Sequence, residues 1–154
     1  MQYLLLIYGN EAGMQSATKA DVEQMMAAYG AYTQAIKGAG VLVAADRLKP
    51  STSASTVRVA DGKTKVLDGP YAETKEQLAG YYLIEVPDLD AALSWAARCP
   101  GANYGAIEVR PGEDDPGAIA LMRKLSTVSR RRWPETAVAA PRVGLPIPKP
   151  KAAT

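Results

Sequence analysis

Residues 2–8, Gln-Tyr-Leu-Leu-Leu-Ile-Tyr, are apolar at odd and even positions alike and stop at Gly9-Asn10. That pattern predicts a central strand with side chains to bury on both faces. From Thr18 the period changes, and Val22, Met25, Met26, Tyr29, Thr33 and Ile36 recur every three or four residues as one helical stripe. Thr18 suits the N-cap, Asp21 favours the positive end of the helix dipole, and Gly38 and Gly40 supply the stop. Residues 41–45 read as a second strand running on toward Leu48 before Pro50. Two short runs, 56–60 and 64–67, flank Asp61-Gly62-Lys63, where Asp-Gly tolerates the positive φ of a tight hairpin turn. Residues 80–86 make a further strand ended by Pro87. Asp88 then caps a second helix with Leu89, Leu93 and Ala96 on its stripe, Arg98 in its last turn and Pro100 beyond. A last strand, 104–109, stops at Pro111-Gly112.

The order strand-helix-strand, hairpin, strand-helix-strand is that of a ferredoxin-like α+β sandwich with an inserted β-hairpin, two helices covering one face of an antiparallel sheet. The other face needs a cover. Tyr3, Leu5 and Ile7 alternate with Leu4, Leu6 and Tyr8, so either register leaves large apolar groups on the helix-free side. Burying them at about 25 cal/mol per Å² stabilises by several kcal/mol, which predicts face-to-face pairing of two copies, a homodimer.

Composition narrows the chemistry. With 154 residues, 47 % of them apolar, one folded domain is expected. No segment approaches the roughly 20 apolar residues of a bilayer helix, and residues 2–8 are too short and lack the basic start of a signal peptide, so a cytoplasmic location without membrane contact is expected. The chain has no histidine and one cysteine, Cys99. Ser-His-Asp and Cys-His nucleophile systems and histidine metal sites therefore cannot be assembled from this chain alone. Neither a metal site nor a cofactor is expected. Cys99, before Pro100 with no histidine to activate it, reads as an unreactive thiol.

The net charge of +2 conceals an uneven distribution. Residues 1–116 carry ten Lys or Arg against fifteen Asp or Glu, giving −5, and residues 117–154 carry eight against one, giving +7. The chain thus reads as an acidic body, residues 1–112, followed by a basic appendage, residues 113–154.

The segment from Val66 through Asp68-Gly69-Pro70-Tyr71 and Lys75 to Gly80-Tyr81-Tyr82 and Val86 resembles the signature of the YCII-related proteins, specifically their DGPF-domain branch, with Tyr71 at the fourth letter. The opening strand, the step 39–42, the helix 88–96 and residues 107–111 share in the resemblance, which spans about residues 1–112. It implies a dimeric α+β barrel in which two ferredoxin-like subunits pack sheet to sheet, in agreement with the homodimer argued from the open face. It supplies no reaction, because such proteins are described as candidate enzymes or as small proteins associated with bacterial sigma factors. Relatives in this family look most enzyme-like at a His and Asp pair, the His lying on the first helix about three turns before its closing glycine. Tyr29 stands at that place here, and Asp46 is an available Asp just after the second strand. A phenol is a poor base at neutral pH but a usable acid or anchor, which weakens any acid-base scheme carried over.

Asp68 can accept backbone N–H bonds and present its remaining oxygen to a cavity, while ordinary turn chemistry is the competing reading. Tyr71 covers a pocket or simply packs, and Lys75 holds an anionic ligand or pairs locally in a solvated loop. Tyr81, Leu83 and Glu85 share one strand face, and Tyr104, Ala106 and Glu108 share another, so carboxylates beside tyrosines are set to bind or polarise a small molecule. The candidate catalytic residues are Asp68, Asp46 and Tyr29, and the candidate ligand-binding residues are Tyr71, Lys75 and Tyr81, for proton transfer or isomerisation on a small molecule. In the appendage, Asp115-Pro116 opens an expected helix along Ile119, Met122, Leu125 and Val128, followed by Arg130-Arg131-Arg132-Trp133. Arginines beside an indole bind phosphate and stack on bases, so the alternative is an interaction protein that contacts a sigma factor or nucleic acid through residues 117–134.

Overall fold

The computed structural model describes residues 1–113. The expected helix along Ile119 to Val128 and the arginine cluster before Trp133 lie outside the described residues, and with them the proposed contact through 117–134. Strand β1 (Gln2–Gly9) is followed by a short helix α1 (Glu11–Gln15), helix α2 (Lys19–Gly38) and strand β2 (Leu42–Arg47). The hairpin β3 (Ser55–Ala60) and β4 (Lys63–Asp68) precedes β5 (Gln77–Glu85), helix α3 (Leu89–Arg98) and β6 (Ala106–Pro111).

Four strands form one sheet in the order β2-β5-β1-β6, antiparallel at every junction, while β3 and β4 pair only with each other. With the hairpin set aside, this is the ferredoxin-like order, two strand-helix-strand units interleaved so that β1 and β5 lie at the centre. No described helix is long and apolar enough to cross a membrane.

Local chemistry starts both long helices where expected. Thr18 accepts from the Asp21 N–H while the Asp21 carboxylate accepts from the Thr18 N–H, a complete capping box, and the Asp88 carboxylate accepts from the Ala91 N–H at 2.9 Å. In the hairpin, Asp61 and Gly62 both take positive φ, 51° and 72°, so a two-residue turn with the right-handed strand twist closes the ribbon.

The core lies between the sheet and α2 and α3. Tyr3, Leu5 and Ile7 of β1, Tyr82 and Ile84 of β5, Tyr32 and Ile36 of α2, and Ala92, Ala96 and Cys99 from α3 and its end fill it. Strand β1 alternates buried with half-buried, so the described helices cover one of its faces and leave the other half-covered, as two helices on one side of the sheet imply.

The α2 stripe holds at Val22, Met25, Tyr29, Thr33 and Ile36 and differs from expectation at two positions, while the α3 stripe is rotated. On α2, Tyr32 points inward and Met26 outward, because the Tyr32 hydroxyl finds the Trp95 carbonyl at 2.8 Å and its ring packs edge-on against Tyr82. On α3 the inward positions are Ala92 and Ala96, and Leu89 and Leu93 are exposed. Small alanines let α3 approach the sheet closely, which leucines in their place would prevent. Helix α1 has no counterpart in the hydrophobic pattern. It forms because Asn10 caps it, accepting from the Gly13 N–H at 3.0 Å, and because Glu11 reaches across to Ser51, accepting from its N–H and its hydroxyl at 2.7 Å each.

Candidate functional site

Register decides which side chains share the face that no described helix covers. Asp46 of β2 stands opposite Tyr81 of β5, Tyr81 opposite Leu6 of β1, and Leu6 opposite Glu108 of β6. Directly opposed residues on antiparallel strands project to the same face, so these four form one row across the sheet. Three strand spacings put the two carboxylates at its ends about 14 Å apart. The adjacent row is Ala44, Leu83, Leu4 and Arg110. The face is thus an apolar tray with a carboxylate at either end and a phenol beside one of them.

At one end of this tray, where β1 finishes and β6 begins, a groove of about 800 Å³ opens. Its lining includes Tyr8, Asn10, Lys75, Tyr104, Ala106 and Glu108. Glu108 is held by its own strand: Arg110 meets the same carboxylate oxygen through Nη2 at 2.6 Å and Nε at 2.7 Å. The segment carrying Lys75 is fixed from both sides, since the Gln77 side chain donates to the Thr74 carbonyl and accepts from the Glu11 N–H at 3.2 Å.

The six sequence-derived candidates fall into three places. Asp46 and Tyr81 are cross-strand neighbours on the open face, and Lys75 lines the groove at the end of that face. Asp68 and Tyr71 belong to the hairpin and its return. Asp68 is exposed opposite Ser55, just before Gly69, whose φ of 112° and whose N–H bond to Ala54 at 2.7 Å make the turn. Tyr71 is 80 % exposed, with the Arg58 guanidinium 5.5 Å over its ring. Neither lines the groove. Tyr29 lies behind the sheet among core residues, its hydroxyl against Cys99 and Gly101. Burial pushes the Tyr29 phenol well above the ordinary tyrosine value, so it stays protonated. Burial likewise raises the Cys99 thiol.

Sequence reading missed Asn10 and Tyr8 as groove residues and the Arg110 clamp on Glu108. The last had a signal, because residues two apart on a strand share a face and carry opposite charge. The groove residues had none, since Gly9-Asn10 reads equally as an ordinary strand stop.

The family model described as YCII-related domain matches residues 1–112. An uncharacterized protein of Rhizobium meliloti (strain 1021) is 42 % identical over 113 residues, covering 72 % of this chain and 91 % of that protein. The solved structure of 5-chloro-2-hydroxyhydroquinone dehydrochlorinase (TftG) from Burkholderia phenoliruptrix AC1100, in complex with 2,5-dihydroxybenzoquinone, is similar with a TM-score of 0.44 and 14 % identity, covering 76 % of this chain and 98 % of that one. Through residues 1–112, the chain belongs to the YCII-related domain family.

Proposed function

We propose that this protein is a homodimer that binds a small organic molecule between two helix-free sheet faces and catalyses proton transfer, an isomerisation, upon it. The row Asp46, Tyr81, Leu6 and Glu108 carries the reading. Leu4, Leu6 and Leu83 are only half-buried in the single subunit, so a second copy laid over them removes apolar area from water. The enclosed space then has leucine walls and a carboxylate beside a phenol. In the chemical step the Asp46 carboxylate takes a proton from a carbon next to a carbonyl, and the Tyr81 hydroxyl hydrogen-bonds the oxygen on which charge develops. Return of that proton to a different carbon completes the isomerisation and restores Asp46. Lys75 holds an anion in the groove at the Glu108 end of the face, Tyr29 supports the sheet from behind, and Asp68 and Tyr71 shape the root of the hairpin.

Two measurements test this. Sedimentation should show a dimer for the natural chain and a folded monomer for Leu6→Lys; a natural chain that sediments as a folded monomer ends the dimer. Incubation with a panel of small ketones and phenols in deuterated water should exchange carbon-bound hydrogen, and Asp46→Asn should abolish the exchange with its circular dichroism unchanged. Equal exchange by Asp46→Asn removes Asp46 from the chemistry.

A further inference from the structure

The polar groups around the groove are not equally engaged. Glu108 is neutralised by Arg110 through two contacts to one oxygen. Asn10 spends its side-chain oxygen on the Gly13 N–H, which leaves its amide nitrogen as a donor. The Thr74 hydroxyl is turned back on the Glu76 carbonyl. Lys75 has no carboxylate within 4.0 Å among the described residues. The Tyr8 and Tyr104 hydroxyls complete the set, and Tyr104 is 71 % exposed.

The lining thus brings together an ammonium, an amide N–H₂ and two phenol hydroxyls, against the Glu76 carboxylate and the one Glu108 oxygen that Arg110 leaves open. The same lining includes Tyr8, Tyr104, Ala106 and Ile107, which supply its apolar surface. A volume of about 800 Å³ is within the range of small-molecule clefts. An ionised carboxylate offers about four acceptor sites and one negative charge, and a planar apolar body fits against tyrosine rings.

We infer that this groove binds a small planar carboxylate, with Lys75 taking the charge, Asn10 and the two tyrosine hydroxyls orienting it, and the Tyr8 and Tyr104 rings holding its body. This ligand class rests on the open sheet end being a binding surface, but binding is read below without turnover and without a dimer, so the two proposals fail separately.

The probes are benzoate and its neutral isostere benzamide, titrated into the full chain and followed by the backbone amide resonances of Asn10, Lys75 and Tyr104. Benzoate should shift these resonances saturably at millimolar concentration, and benzamide should not. Lys75→Met should weaken benzoate about fivefold, the upper end of what an exposed charge pair contributes, while Lys75→Arg restores it. Glu76→Gln should tighten it, and added salt should weaken it through screening. Absence of saturable shifts, equal shifts with benzamide, or unchanged benzoate affinity in Lys75→Met would each overturn the assignment. These residues are on the surface, so the variants stay folded and the readout is binding alone.

Discussion

Asp46 and Tyr81 stand directly opposite each other on β2 and β5, on the one face of the sheet that no described helix covers. Their pairing owes nothing to proximity in the chain, where the hairpin and its return separate them. Because Asp46 is exposed and the Tyr81 hydroxyl has no hydrogen-bond partner among the described residues, neither group contributes much to stability. Asp46→Asn and Tyr81→Phe should each change unfolding free energy by less than about 0.5 kcal/mol in urea titrations. Any larger loss of proton-exchange activity in these variants then belongs to the chemistry.

The position of Asp46 depends on a glycine. Gly80, opposite Arg47, brings the chains so close that an added Cβ would lie 2.6 Å from the Asp46 carbonyl oxygen and 3.4 Å from the Arg47 Cα. Both neighbours are backbone and cannot swing aside. Gly80→Ala should destabilise by about 1–3 kcal/mol, as overpacking does, and should move β2 outward. Urea midpoints measure the first, and the amide shifts of residues 44–47 report the second.

Behind the sheet, Tyr29, Tyr32 and Tyr82 all titrate above the ordinary tyrosine value of 10.0, burial being the leading cause at each. The unfolded chain loses these protons more easily than the native one, so their contribution to stability is whole below pH 10 and falls as pH rises toward their native values. Alkaline unfolding should begin above about pH 10 and coincide with a step in phenolate absorbance. Cys99, fully buried beside them, should resist a thiol reagent at pH 8 until urea unfolds the chain. Rapid labelling of the native protein would contradict this packing.

The cap of α2 should weaken in acid. The Asp21 carboxylate is held below its ordinary value by hydrogen bonds from the Thr18 hydroxyl and N–H. Its contribution is present above the unfolded carboxylate value and lost as pH falls through the lowered native one. The stability difference between the natural chain and Thr18→Val, compared by urea titration, should therefore shrink between pH 6 and pH 3. Asp88→Ala, which removes the cap on α3, should cost about 1 kcal/mol at neutral pH.

Much of the fold was legible in the chain because its signals are local. Thr18 with Asp21, Asp88 with Ala91, and Asp61-Gly62 each settle a helix start or a turn through bonds spanning two or three residues. The strands followed from short apolar runs between turn residues, and their order with the helices was sufficient to recover the ferredoxin-like arrangement. Helix rotation was less legible. Leu89 and Leu93 carry the stronger apolar signal, yet Ala92 and Ala96 face the sheet, because the space there was set by strands distant in sequence.

By itself, then, the sequence determined the elements other than α1, their order, the absence of histidine chemistry and the presence of apolar side chains beyond what two helices cover. Only the tertiary structure decided which polar groups meet. Asp46, Tyr81, Leu6 and Glu108 fall in one row through three strand pairings, and a shift of one residue in any of them would send side chains to the opposite face. Such pairings are chosen by the packing of the whole layer, where each strand's buried set must fit the helices, and no local stretch of chain contains that condition.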